Sequence, residues 1–254
     1  MLIQILKKCF DSKLVASCVL TGALAVATVV RAEYRPPADQ KPPTGRTTGT
    51  VSRGGCDGSA ETSLTALAPS SHVGQTGSPH PTFAWFVPDS QSYPLEFRLD
   101  RYDASGDRTR IQTVPLQSQP GMMVLSLPED QPGLPSGSYR WQVVILCNPN
   151  RPSSALVAEA DIDVVEQPSA LAEALSTTDD ALARANLYAE SGFWYDALGE
   201  ALEAADGATT REFQRTLLAD LAALEARAAN DSQHDKLKQI IETNGPLIYR
   251  SSSR

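Results

Sequence analysis

The chain has 254 residues, 41% of them hydrophobic, with 22 basic and 30 acidic side chains and a formal charge of −8. That length supports one large domain or two modest ones, each with its own core, and the shifts of composition along the chain favour two. An acidic chain without a basic cluster repels phosphate backbones and anionic membrane surfaces, so nucleic-acid binding is disfavoured.

At the N terminus Lys7, Lys8 and Lys13 flank the start of an apolar stretch from Leu14 to Val30, and Val30-Arg31-Ala32 carries small residues where a signal peptidase needs them. These features predict a signal peptide over residues 1–32, cleaved after Ala32. The apolar run, interrupted by Ser17, Thr21 and Thr28, is about 17 residues, at the short end for a membrane span. Val15-Ala16-Ser17-Cys18 looks like a lipoprotein cleavage box, but the apolar run follows the cysteine instead of preceding it, so lipidation is not expected. Cleavage removes Lys7, Lys8, Lys13, Arg31 and Asp11, leaving 18 basic and 29 acidic residues and a formal charge of −11. The expected compartment is periplasmic or extracellular, without stable membrane insertion after cleavage. Cys9 and Cys18 leave with the leader, and the remaining pair, Cys56 and Cys147, is expected to form a disulfide in an oxidising compartment. Closing that loop stabilises by about 4–5 kcal/mol on the chain-entropy argument. A zinc site is not expected, since there is no Cys-x-x-Cys pair and the histidines lie at 72, 80 and 234.

Residues 33–52 are rich in Pro, Thr and Gly and poor in large apolar side chains, which predicts a disordered linker. From 53 to 166 short β-rich runs are separated by Pro, Gly, Ser and Asp. Leu64–Leu67 comes first, and Thr82–Val87 is aromatic and closes at Pro88. Leu95–Asp100 alternates, with Leu95, Phe97 and Leu99 on one face. Asp103–Asp107 supplies turn chemistry, and Arg108–Leu116 returns as the hairpin partner. Met122–Leu127, Ser138–Cys147 and Ala155–Val165 bring the set to about seven strands, the number of an immunoglobulin-like β-sandwich. The run from Gly133 to Val143 is similar to the corner before strand F of fibronectin type III domains, where a Tyr hydroxyl bonds back to the backbone; Tyr139 is that residue here. Tyr139, Trp141, Val143 and Ile145 share a face at period 2, and Cys147 ends it within reach of Cys56.

After Gln167 the spacing becomes helical, giving an α-helical region over 167–250 and an overall α+β chain. Thr177 or Thr178 with Asp179 and Asp180 reads as a helix start. The predicted helices are Ala181–Glu190, Phe193–Ala205 after a break at Ser191-Gly192, Arg211–Ala229 and Asp235–Thr243. Tyr188, Gly192, Ala197 and Ala204 fall where a tetratricopeptide repeat places its Tyr, Gly and small residues. Ala181, Arg184 and Ala185 stand at its Trp, Leu and Gly positions, and no second copy follows. Such hairpins stack in about three copies to bury their faces, so a lone one packs on its neighbours or on a partner.

Several of these segments carry a family resemblance: Arg53-Gly54-Gly55-Cys56, Leu64-Thr65-Ala66-Leu67-Ala68-Pro69, Gly74-Gln75-Thr76, Pro81-Thr82-Phe83, Val87-Pro88, Tyr139-Arg140-Trp141, Cys147, and Gly192-Phe193-Trp194-Tyr195-Asp196-Ala197. In this order the chain resembles the uncharacterised family of secreted, mostly cyanobacterial proteins known as domain of unknown function 928. The similarity runs over about residues 53–200, while the acidic stretch Glu159–Asp163 and the Ala-rich helices after 205 depart from it. The resemblance implies compartment and domain layout, and no activity.

Chemistry is sparse. No Gly-x-Ser-x-Gly elbow and no phosphate-binding Gly loop occur. His72 and His80 read as solvated loop histidines without convergent partners. Asp100, Asp103 and Asp107, and the pair Asp161 and Asp163, are oxygen donors of the kind calcium takes, but turn-forming and solvated acids are the reading adopted. No cofactor is expected. Phe193-Trp194-Tyr195 is the densest aromatic cluster, serving either as core or as anchor for a partner. The leading expectation is a non-enzymatic envelope protein that binds another exported protein through its helical region, with an exposed apolar strip drawn from Tyr188, Phe193, Trp194 and Leu198. Carbohydrate or cell-wall binding by the sandwich is the alternative, and an unrecognised hydrolase the third.

Overall fold

The computed structural model describes residues 33–44, 54–148, 150–243 and 248–250. The expected leader, residues 45–52 of the expected linker and residue 53 lie outside them. Among the described residues the chain is α+β, with strands β1 Thr65–Ala66, β2 Gly74–Thr76, β3 Thr82–Val87, β4 Pro94–Tyr102, β5 Arg108–Gln117, β6 Gly121–Ser126, β7 Gly137–Ile145, β8 Leu156–Val164 and β9 Ile248–Arg250. Helices α1 Ser169–Ser176, α2 Ala181–Glu190, α3 Trp194–Glu203, α4 Ala208–Arg227 and α5 Asp231–Thr243 follow β8.

Two sheets form, in the orders β1-β3-β6-β9 and β2-β8-β7-β4-β5. Period-2 alternation sends Leu95, Phe97 and Leu99 of β4 and Tyr139, Trp141, Val143 and Ile145 of β7 into one core with Phe83 and Trp85 of β3. The Phe83 ring lies 4.9 Å from Phe97 and 5.4 Å from Trp141, so aromatic contacts join the two sheets. The β4–β5 hairpin turns as the acids and Gly require: Asp103 Oδ1 accepts from the Ser105 and Asp107 amides, and Gly106 has φ 85°. The edge strand β5 is blunted by Pro115 and by a register shift that leaves the exposed Ile111 unpaired opposite Leu99/Asp100.

Asp180 caps α2 by accepting from the Ala183 amide at 2.8 Å. Between α2 and α3 the chain reverses at Gly192, φ 86°, where a Cβ would meet Pro37 at 2.8 Å. Four features differ from the sequence expectation. Helix α1 forms where none was read. Strand β2, Gly-Gln-Thr, pairs in parallel with β8 although its residues carry no strand signal. Strand β9 pairs in parallel with β6, so the region expected to be helical to residue 250 ends in a strand. Residues 33–44, expected to be disordered, form a strap along the body. Its one aromatic, Tyr34, is 4% exposed, packed edge-on against Trp194 at 4.9 Å. Its backbone amide donates to Asp220 at 3.1 Å, and Arg35 N donates to Ala189 O at 3.0 Å. Lys41 O then accepts from Val73 N at 3.0 Å, which brings the strap to the β region. One buried aromatic with paired backbone groups is enough to order a Pro-rich segment whose φ angles are already restricted.

Candidate functional site

Cys56 and Cys147 are bonded, with Cα atoms 5.2 Å apart. The turn that carries Cys56 is held by the buried Asp89, whose Oδ1 accepts from the Cys56 amide at 2.6 Å. Tyr188, Phe193, Trp194 and Leu198 are brought together, but at 7%, 2%, 0% and 1% exposure they form no exposed strip. The expected partner contact is corrected on this point. A hairpin without stacked repeats still has an apolar face to bury, and the β region buries it. Trp194 Nε1 donates to Leu67 O at 3.0 Å. Tyr195 OH donates to Asp161 O at 3.0 Å and accepts from Trp141 Nε1 at 2.8 Å. The close fit extends to Gly74, where a Cβ would lie 2.7 Å from the Tyr195 ring.

Several polar groups at this joint are paired, although among the described residues Asp163 Oδ1 is buried without a hydrogen-bond partner. Glu225 of α4 is fully buried and accepts from the Ser70 and Ser71 amides, both Ser hydroxyls and Asn230. His72 is buried, correcting its reading as a solvated loop residue; its Nε2 lies 2.9 Å from Tyr34 OH. Burial pushes its imidazole down to about 4, against a smaller opposing pull from Glu225. Asp161 and Asp163 are likewise buried and not solvated turn acids. Arg140 donates to both oxygens of Asp161, at 2.7 and 3.0 Å, and Lys41 meets Asp163 at 3.0 Å. Asp100 is buried and paired with Arg110. Among the described residues no group of three or more His, Cys, Asp or Glu is placed to hold a metal ion.

The cleft of interest opens where the β2–β3 loop faces α2 and α3. It encloses about 280 Å³ and is lined by Thr76, His80, Arg184, Tyr188, Asp196 and Glu200, with Glu129 and Glu203 at its mouth. Helical spacing puts Asp196, Glu200 and Glu203 on one face of α3. Arg184 of α2 is committed to Glu200, 2.6 Å away, and His80 Nε2 meets Gln131 O at 3.0 Å. Asp196 Oδ2 accepts from the Gly77 amide at 3.0 Å. Burial pushes its carboxyl up to about 6, with the loop amides and the Thr76 hydroxyl pulling the other way. The cleft therefore presents three carboxylates beyond its internal ion pair, and suits a cation.

Asp196, Glu225 and Tyr34 were missed as organising residues. The usable signals were Asp196 inside the Gly192–Ala197 motif and Tyr34 as the lone aromatic of a Pro-rich stretch. Against known proteins, residues 48–237 match the model of the family described as Domain of Unknown Function (DUF928). The match runs through α4 and into α5, so the helices after 205 are part of the family pattern, not a departure from it. No curated protein matches the chain.

Proposed function

The chain belongs to the DUF928 family, and on that footing we propose that it is an exported, non-enzymatic protein of the cell envelope that binds another exported protein through the acidic cleft between its β and helical regions. Export rests on the leader pattern of residues 1–32 and agrees with the Cys56–Cys147 bond. Among the described residues no helix is long and apolar enough to cross a membrane. The observation that carries the binding reading is the cleft itself. Its walls come from both regions, and among the described residues no cation is paired with Glu129, Asp196 or Glu203. Its occupant is a Lys- or Arg-bearing segment, attracted by charge and read by shape.

Two finer features of the layout belong to this reading. The β region is an immunoglobulin-like sandwich, supported by the Tyr139 hydroxyl donating to Pro135 O at 2.6 Å in the manner of a tyrosine corner. The α2–α3 pair is a single tetratricopeptide-like hairpin, supported by Tyr188, Gly192 and Ala197 at its packed joint.

Calorimetric titration of the mature protein with lysine-rich and glutamate-rich peptides of equal length tests the proposal. Salt-sensitive binding of the lysine-rich peptide, lost in Glu129→Lys/Glu203→Lys, is expected. Equal binding of both peptides, or binding unchanged by the charge reversal, overturns it. Capture from the native envelope with wild type and the reversed variant then identifies the partner as the protein that only wild type retains.

A further inference from the structure

Residues 34–37 sit in a groove as a bound peptide would. Tyr34 is buried between His72 and α3, where its ring meets Trp194 edge-on at 4.9 Å and its hydroxyl lies 2.9 Å from His72 Nε2. Its backbone amide donates to Asp220 of α4 at 3.1 Å, and the next amide, of Arg35, donates to Ala189 O of α2 at 3.0 Å. Pro37 then lies against the turn between α2 and α3, where a Cβ on Gly192 would stand 2.8 Å from the proline ring. The Arg35 side chain points away from these contacts, 59% exposed and paired with Glu33. An aromatic anchor in a pocket, backbone hydrogen bonds and a seat for proline are the means by which short extended segments are recognised. What the groove reads is Tyr-x-x-Pro.

The strap owes these contacts to its own residues and not to its covalent tie. Its bonds run to His72, Val73, Asp161, Asp163, Ala189 and Asp220, groups that any copy of the chain presents. Between Thr44 and Gly54 lie nine residues, with glycines at 45 and 49 and Val51 as the one aliphatic side chain. Ten steps of extended chain reach about 33 Å, about the diameter of a small domain. That length carries a strap to the groove of an adjacent copy, and an exchanged pair makes every strap contact twice, once in each direction.

We propose that this groove is a recognition site for the Tyr-x-x-Pro segment of a second copy of the chain, so that two copies pair by exchanging straps. None of the residues that hold residues 34–37 lines the acidic cleft, and the site does not depend on the role of that cleft. Because the strap contacts are the same within one copy or between two, concentration sets the balance. A short connector holds its own strap at an effective concentration of about 1 mM, so exchange becomes appreciable as the protein approaches that value.

The test is light scattering of the full mature chain at about 10 μM and at about 1 mM, beside isotope-filtered NMR on labelled and unlabelled protein refolded together. Monomer is expected at the lower concentration, and a dimer share of the order of half at the higher. In the dimer the Tyr34 and Trp194 rings should give nuclear Overhauser effects that cross from labelled to unlabelled copies, a readout that needs no variant. A synthetic peptide of residues 33–44 in excess should lower the dimer share by filling the groove, and the same peptide with Tyr34→Ala should leave it unchanged. Monomer at both concentrations, a dimer whose Tyr34–Trp194 contact stays within one copy, or equal action of the two peptides overturns the exchange.

Discussion

Trp194→Ala tests whether the aromatic cluster is structural. The indole is fully buried between Tyr34 and the β region. A Trp side chain buries about 150–250 Å², which at about 25 cal/mol/Å² is worth about 4–6 kcal/mol, consistent with the 3–5 kcal/mol typical of Trp→Ala in cores. Removing Nε1 also leaves Leu67 O without this donor, at a cost of about 1–3 kcal/mol. A domain's total stability is about 5–15 kcal/mol, so the alanine protein should retain little of it. Trp194→Phe keeps most of the packing and should lose only about 1–2 kcal/mol, mainly the hydrogen bond. Urea unfolding of the two variants and wild type, with the disulfide intact, gives both differences. A loss under about 1 kcal/mol for alanine, or equal losses for alanine and phenylalanine, would refute the packing argument.

Other outcomes follow from the same joint. Tyr34→Ala should cost about 2–4 kcal/mol and expose residues 33–44 to limited proteolysis; an unchanged cleavage pattern would show that the strap does not depend on its anchor. Reducing the Cys56–Cys147 bond, which closes a separation of 91 residues, should lower stability by about 4–5 kcal/mol, read as a shift of the urea midpoint. Asp196 and His72 should give opposite pH slopes. The folded-state pKa of Asp196 is raised to about 6, so its contribution is fully present below the ordinary carboxyl value and is lost as pH rises through 6. Asp196→Asn should therefore gain on wild type by up to about 2–3 kcal/mol between pH 4 and 7. The pKa of His72 is lowered to about 4, so its contribution is present above the ordinary imidazole value and is lost as pH falls from about 6.5 to 4. His72→Gln should thus gain on wild type towards acid pH. Parallel curves for wild type and either variant would contradict the burial assigned to that group.

The amino-acid sequence by itself determined what depends on near neighbours in the chain. Alternation placed Leu95, Phe97 and Leu99 on one face of β4. Asp103 to Asp107 specified the hairpin turn, and the start of α2 was legible to within a few residues, although Asp180 and not Thr177 or Thr178 is its cap. The parity of cysteines outside the expected leader pointed to Cys56–Cys147, and the family motifs were readable in order. What only the tertiary structure decided depends on pairings between distant parts of the chain. Whether Trp194 is core or anchor turns on the Leu67 carbonyl, 127 positions away, and no local pattern encodes that contact. The burial of Asp161 under Tyr195 and the strap, and of Glu225 under Ser70 and Ser71, was hidden for the same reason. An acid reads as solvated until the donors that replace its water are known, and those donors come from distant parts of the chain. The three-residue strand β2 had no propensity to announce it. It is a strand because β8 offers it hydrogen bonds and Tyr195 leaves room only for a glycine at position 74.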